Sequence, residues 1–165
     1  MKKLVFVVIL VLIGWMLYRT LGEKEQQAAK TETPVQAPTH PVHSEAVTSG
    51  AKLNGVFPKS EVDYKLTFTQ EKTGFAQADL SKGGMKVATL SVSDTEATPS
   101  ARDKFKTSTK RIGEFPMAAN GSQGTALLAG NRYQVQVRSL MPAFTEADRE
   151  AWLQKFKLAQ LAEMK

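Results

Sequence analysis

The chain has 165 residues and a formal net charge of +6, and its length allows one domain of ordinary size with terminal extensions. It contains no cysteine, which excludes disulfides, a thiol nucleophile, a lipid anchor on cysteine and thiolate metal sites. Of the 22 basic residues 17 lie at or after Lys52, against 12 of the 16 acidic ones, so the basic balance of this part favours anionic partners.

The first 22 residues have the order of a secretory signal or signal anchor. Lys2 and Lys3 precede an uninterrupted apolar run over residues 4–18, as in export signals. These fifteen residues span about 22 Å as a helix, so crossing the bilayer core requires residues 19–22 to extend it. Good cleavage sites with paired small residues are missing. Residues 1–22 are therefore predicted to form a transmembrane helix, with a cleaved signal as the alternative.

Residues 23–52 are predicted to form a disordered linker. Between residues 23 and 51 there is no aromatic residue, leucine or isoleucine, and glutamine, alanine, threonine and proline are frequent. Such a stretch cannot bury enough apolar surface to fold. Both histidines, His40 and His43, lie here without a partner ligand at a fixed spacing, so they are interpreted as solvated linker side chains.

Residues 53–165 are predicted to form the globular domain, which begins with three strands. Apolar and polar residues alternate over residues 62–69, which is typical of a half-buried strand. Residues 75–80 and 85–93 flank a turn that contains two glycines, and this pattern predicts a β-hairpin. The three strands are expected to form an antiparallel meander.

The middle of the domain is predicted to contain a helix over residues 99–112. Thr98 supplies a helix N-cap, Pro99 suits the first helical position, and Gly113 suits a helix C-terminus. Residues 113–124 are rich in glycine, asparagine and proline, which indicates a loop.

A second hairpin is predicted after this loop. Residues 125–129 and 132–140 read as strands joined by a turn at Gly130 and Asn131. In the second strand, apolar Tyr133, Val135 and Val137 alternate with polar residues, so one face of the sheet should be exposed to solvent.

The last predicted helix runs from a capping box at Thr145 to about Ala162. Trp152 and Phe156 form its main apolar stripe and should pack on the apolar face of the sheet. The leucines outside this stripe fit a helix that is buried on several sides, is broken near Lys157, or carries spare apolar surface. The domain is thus predicted to be α+β: an antiparallel sheet of about five strands, in the order βββαββα, with two helices on one face.

No catalytic, cofactor-binding or metal-binding residues are predicted. There is no nucleophile elbow and no phosphate-binding glycine loop. The carboxylate pairs Asp94 with Glu96 and Glu146 with Asp148 are better explained by helix starts. The protein is therefore expected to work without a cofactor and not to be an enzyme.

The densest charge feature is a group of basic residues in the predicted helix. Arg102, Lys106 and Lys110 recur every four residues and would form one stripe along the helix, with Lys104 and Arg111 beside it. Arg102, Lys106, Lys110 and Arg111 are the candidate contacts for an anionic partner, and a merely solvated helix face is the alternative. Aromatic residues interleaved with the basic ones for base stacking are missing, because Phe105 is expected on the core face, so no nucleic acid is expected.

The order of anchor, linker and domain suggests a location. It predicts a single-pass protein of the bacterial inner membrane with its C-terminal domain in the periplasm, or a soluble periplasmic protein if the signal is cleaved. The layout is similar to that of single-span inner-membrane subunits of envelope assemblies, such as secretion or pilus machines. The expected role is a non-catalytic accessory or binding protein of the envelope that contacts a protein or an anionic polymer. The alternative is a small envelope hydrolase or lipid-handling enzyme.

Overall fold

The computed structural model describes residues 47–164. The predicted transmembrane helix and residues 23–46 of the predicted linker lie outside the described residues. Across residues 47–164, each helix is too short or too polar to span a membrane.

Residues 47–164 form an α+β fold around one antiparallel sheet of seven strands, in the spatial order β1-β2-β3-β7-β6-β5-β4. The strands are β1 (Tyr64–Lys72), β2 (Phe75–Lys82), β3 (Met85–Asp94), β4 (Arg111–Ile112), β5 (Phe115–Ala119), β6 (Gly124–Ala129) and β7 (Tyr133–Ser139). The helices are α1 (Gly50–Asn54), α2 (Asp103–Lys106), α3 (Glu146–Gln154) and α4 (Leu158–Glu163), and a 3₁₀ turn (Pro99–Arg102) leads into α2.

The two predicted hairpins are confirmed. Gly83 and Gly84 join β2 to β3 with φ values of 55° and 82°, a conformation that suits glycine and matches the strand twist. Gly130 and Asn131 also have positive φ. Because Ala129 pairs with Tyr133, however, the loop between β6 and β7 has three residues where two are predicted.

One face of the sheet carries the main hydrophobic core. Strand register sets Leu90 beside Val137 and Val92 beside Val135, and all four side chains are fully buried. Residues from α1, α3 and α4 complete this cluster. Burying each leucine or valine contributes about 1.5–3 kcal/mol to folding.

The C-terminal helical segment packs on this core as predicted, but as two helices. Thr145 and Asp148 form the predicted capping box at the start of α3. The chain leaves the helix after Gln154 and starts α4 at Leu158, which confirms the alternative of a break near Lys157. Trp152 belongs to the same core cluster as Tyr133, Val135 and Val137.

The predicted helix over residues 99–112 is wrong in its second half. Helical structure ends at Lys106, and Arg111–Ile112 forms β4. The three residues after Lys106 are threonine, serine and threonine, whose hydroxyl groups compete with helical backbone hydrogen bonds. Accordingly, Ser108 Oγ donates to the carbonyl of Met117, which lies in β5.

The predicted loop over residues 113–124 is also wrong in part, because it contains β5. Phe115–Ala119 pairs with β6 and places Met117 in the core. The two extra strands β4 and β5 account for the difference between seven observed and five predicted strands.

The prediction that the helices lie on one face of the sheet is wrong for α2. Phe105 of α2 packs against Ala126 and Leu128 in a second, small cluster. Their neighbour Leu127 belongs to the main core, and adjacent residues of a strand point to opposite faces. Helix α2 therefore covers the face opposite α3 and α4.

Asp94 connects the N-terminal segment to the sheet. Its carboxylate accepts hydrogen bonds from Arg132 Nε (2.9 Å) and Nη2 (2.7 Å) and from the backbone N–H groups of Thr48 (2.8 Å) and Glu96 (3.1 Å). Burial opposes ionisation, but these hydrogen bonds outweigh it and hold the pKa of Asp94 below its ordinary value. The folded unit thus includes Thr48, five residues before the boundary that composition predicts.

Candidate functional site

The face of the sheet opposite α3 and α4 is polar over its central strands. In register, Gln77 of β2, Ser91 of β3 and Gln136 of β7 form one row across the sheet. A neighbouring row contains Asp79, Thr89 and Arg138. We call the following eight residues the polar face: Gln77, Asp79, Thr89, Ser91, Ser93, Gln134, Gln136 and Arg138.

A chain of hydrogen bonds joins α2 to the polar face. Lys104 Nζ donates to Asn120 Oδ1 at 3.0 Å, and Asn120 Nδ2 donates to Gln136 Oε1 at 2.7 Å. Asn120 is held in turn by a hydrogen bond from its backbone N–H to the carbonyl of Gly124 (2.9 Å). The side chain of Lys104 is thereby fixed at the edge of the polar face.

The ammonium group of Lys104 forms no ion pair with any acidic residue in the described part of the chain. Its contacts are the neutral Asn120 amide and the Phe105 ring, whose centroid lies 5.2 Å from Nζ. Burial lowers the pKa of Lys104 below its ordinary value, because removing water disfavours the charged form. The site therefore contains a partly desolvated cation without a counter-charge.

The polar face itself carries two charged residues, Arg138 and Asp79, beside the cation of Lys104. Arg138 is exposed and has no acidic partner among residues 47–164. Asp79 is buried and pairs with Lys86. In addition, Gln134 Oε1 is buried without a hydrogen-bond donor within the described region. Within residues 47–164 the polar face thus carries one exposed cation, Arg138, without an acidic partner.

The four basic residues chosen from the sequence do not form one stripe. Arg102 donates to the carbonyl of Asn131 at 2.9 Å, and Lys106 pairs with Asp103 at 2.7 Å. Helix α2 ends at Lys106, so Lys110 lies beyond it.

Lys110 and Arg111 have separate local partners. Lys110 lies 2.8 Å from Glu146 and 3.6 Å from Glu150 of α3, and the Glu146 carboxylate raises its pKa. Arg111 lies in β4 and donates to the carbonyl of Glu114. Lys110 and Arg111 each remain available to a partner. The three residues of the predicted stripe, Arg102, Lys106 and Lys110, however, do not present aligned charges.

Sequence reasoning identified only part of the polar face. It found the polar side of β7, because alternation there is regular. It missed the matching residues on β2 and β3, although the same alternation of small polar and apolar residues runs through both strands. Asn120 gave no signal in the sequence beyond that of a loop residue.

Metal ligands and grooves are the other features from which chemistry could arise. No group of three metal-ligating side chains occurs among residues 47–164. Two open grooves lie beside β1, with volumes of about 490 and 350 Å³. Neither contains a histidine next to a serine or threonine, so we derive no reaction step from them.

Comparison with known proteins returned no match: no family model, curated protein or solved structure resembles this chain.

Proposed function

We propose that this protein is a non-catalytic accessory protein of the bacterial cell envelope whose domain binds an anionic polymer through the polar face. The observation that carries the proposal is the partly buried ammonium of Lys104, which has no acidic partner in the described part of the chain. Keeping a cation away from water is costly unless an opposite charge compensates it. A carboxylate or phosphate of a bound polymer would supply that charge.

The chemistry of the polar face suits a carbohydrate chain. Serine and threonine hydroxyls and glutamine amides both donate and accept hydrogen bonds, as sugar hydroxyl groups do. Arg138 adds a second cation that binds carboxylate or phosphate in a fork geometry. An acidic polysaccharide would use the hydroxyl and amide groups along its length and the two cations at its charged groups.

The proposed location is the inner membrane, with a single N-terminal span and the domain in the periplasm. Its support is the basic-then-apolar order of residues 1–22. A fusion of alkaline phosphatase after Lys165 tests it, because this enzyme is active only when exported. Activity of the fusion is the expected result, and fluorescence of a cytoplasmic reporter at the same position without phosphatase activity would exclude it.

Binding is tested with the full-length chain in detergent micelles. The probes are peptidoglycan sacculi as the anionic polymer and neutral dextran as the control, each in a sedimentation assay at low and physiological salt. The sacculi should retain the protein and dextran should not. Replacing Lys104 and Arg138 together by glutamine should abolish most retention, and raising the salt should weaken it because the contact is electrostatic.

A matched variant distinguishes the polar face from the basic residues around α2. Changing Arg102, Lys106 and Lys110 to glutamate alters more charge but leaves the polar face intact. We expect this variant to keep most binding apart from a general electrostatic loss. If it loses binding while the Lys104 and Arg138 variant retains it, the contact lies on the basic residues that the sequence suggested, and the polar face is not the site.

A further inference from the structure

Strand β1 is an edge strand of the sheet, and most of its outer edge is covered. Leu66 N–H donates to Ser60 Oγ at 3.0 Å, and Tyr64 exchanges backbone hydrogen bonds with Glu61. At the other end, Asn54 of α1 donates to the Glu71 carboxylate. Covering an edge in this way prevents strands of other molecules from adding to it.

Among the residues that the structure describes, the cover has a gap at Phe68. The N–H of Leu66 points away from β2, and N–H directions alternate along an antiparallel strand. Phe68, two residues later and before the bulge that interrupts β1, therefore also directs its backbone N–H and C=O outwards. Its side chain is 45% exposed.

A groove of about 350 Å³ lies in this gap. Its apolar wall consists of Phe57, Pro58, Leu66 and Phe68. The rings of Phe57 and Phe68 pack edge-to-face with their centroids 5.1 Å apart. The Phe57 ring also packs against that of Phe156 in the core, again with 5.1 Å between the centroids. The groove is therefore preformed and anchored to the core, and its volume is within the usual range for ligand pockets.

The polar residues around the groove define what it would hold. Lys59 and Lys157 line it and no acidic residue does. Lys157 Nζ donates to the neutral carbonyl of Gly55 at 3.0 Å and, within the described residues, pairs with no acidic group. The outward-facing C=O of Phe68 can accept a hydrogen bond from an N–H donor. The complement is an apolar group with a nearby carboxylate and an N–H donor.

We propose that this groove docks an extended peptide segment of another protein, with an apolar side chain against Phe68 and an acidic residue near Lys59 and Lys157. A peptide supplies all three required groups together with backbone partners for Phe68. A fatty acid supplies the apolar and acidic groups but no N–H donor. A second copy would bring its own β1, whose edge is covered in the same way, so it fits the short gap poorly.

The proposal is tested on the full-length chain in detergent micelles by fluorescence polarisation with labelled eight-residue peptides. Each peptide alternates threonine and valine and carries a central phenylalanine or leucine followed by glutamate. The comparison probes are the same peptides with lysine for glutamate, the same peptides N-methylated on both sides of the central residue, and dodecanoate as a competitor.

The glutamate peptides should bind, and Phe68→Thr should weaken binding by at least about tenfold. Val62→Thr is the matched control, because Val62 is fully exposed and lies outside the groove. Lys59→Glu should weaken binding about threefold and reduce its salt dependence, since exposed charge contacts contribute little, while Lys65→Glu should not. Circular dichroism checks that each variant remains folded.

Several results would overturn the proposal. They are the absence of binding by every glutamate peptide at millimolar concentration, equal binding of the N-methylated peptides, and equal loss for Phe68→Thr and Val62→Thr. Dodecanoate binding that depends on Phe68, without peptide binding, would assign the groove to a lipid instead. Self-association of the chain that Phe68→Thr abolishes would assign it to a second copy. None of these results depends on the polar face.

Discussion

The two faces of the sheet are built from the same strands but differ in composition and in burial. On β3, Leu90 and Val92 are fully buried against the helices, whereas Thr89, Ser91 and Ser93 alternate with them on the polar face. The first set contributes apolar burial and holds the fold together. The second set is only half-buried and contributes less apolar burial. Residues one position apart should therefore respond very differently to substitution.

Each face also contains an exception to its general character. The core face holds the charged pair of Asp94 and Arg132 and the buried Arg149, whose guanidinium donates to the hydroxyls of Thr125 and Ser139. The opposite side of the sheet, which includes the polar face, also holds the apolar contact of Phe105 with β6. These exceptions attach the N-terminal segment, α3 and α2 to the sheet, so they act as connections between elements.

The largest expected effect concerns the core face. Trp152→Ala removes a buried ring that contacts Tyr64 edge-to-face at 5.2 Å, and it should cost about 3–5 kcal/mol in the free energy of unfolding. Ser91→Ala on the polar face should change it by less than about 0.5 kcal/mol. Chemical denaturation of both variants measures the difference. A Trp152→Ala protein that unfolds like its parent would contradict the packing of α3 on the sheet.

The next largest effect concerns the ion pair of Asp94 and Arg132 on the core face. Asp94→Asn leaves Arg132 without its carboxylate and should cost about 3 kcal/mol. Because the pKa of Asp94 is lower when folded than when unfolded, its contribution is complete above the unfolded pKa and is lost as the pH falls through the folded value. Stability of the parent should thus decline below about pH 4.

The control for this pH dependence is the Asp94→Asn protein itself. Its unfolding free energy should decline less steeply over the same acidic range, because the titrating group is missing. Parallel pH profiles for the parent and the variant, measured by urea denaturation, would show that Asp94 does not carry the effect.

A smaller effect is expected at one intolerant position beside the polar face. A Cβ added at Gly124 would lie 2.4 Å from the carbonyl oxygen of Asn120, so Gly124→Ala must displace the loop that holds Asn120. We expect a cost of about 1–3 kcal/mol together with loss of the Lys104–Asn120–Gln136 chain. Gly83→Ala is a comparison without a clash, because no atom lies within 4 Å of its Cβ position, but its φ of 55° strains an alanine, so it lowers stability without displacing Asn120. An equal loss of polymer binding in both variants would argue against the role of Asn120.

The smallest effect is a gain in stability on the polar face. Gln134 Oε1 is buried without a donor in the region described, and such a group costs about 1–3 kcal/mol. Gln134→Met keeps a similar shape without this oxygen, so it should raise the unfolding free energy by about 1 kcal/mol. Gln136→Met, which breaks the hydrogen bond from Asn120, should lower it. Calorimetric melting of the two variants checks the opposite signs, and a loss of stability in both would contradict the assignment at Gln134.

The sequence by itself determined the elements whose signals are local. The alternation in β1, β2, β3 and β7, the glycine turns and the capping box at Thr145 each depend on residues within a few positions of one another, so they were predictable. The basic residues around α2 were also visible in the sequence. Their predicted alignment in one stripe depended on a helix that continues beyond Lys106, and the helix ends there.

Only the tertiary structure decided the features that join distant segments. Strand β5 has no clear alternation and is stabilised by pairing with β6, while β4 is only two residues long. The face on which α2 lies is set by the packing of Phe105 against Ala126 and Leu128. The Lys104–Asn120–Gln136 chain and the groove beside Phe68 each bring together residues from at least three elements or loops. Local sequence patterns specify which residues are apolar or polar, but they do not specify which distant residues become neighbours, because that depends on packing over the whole sheet.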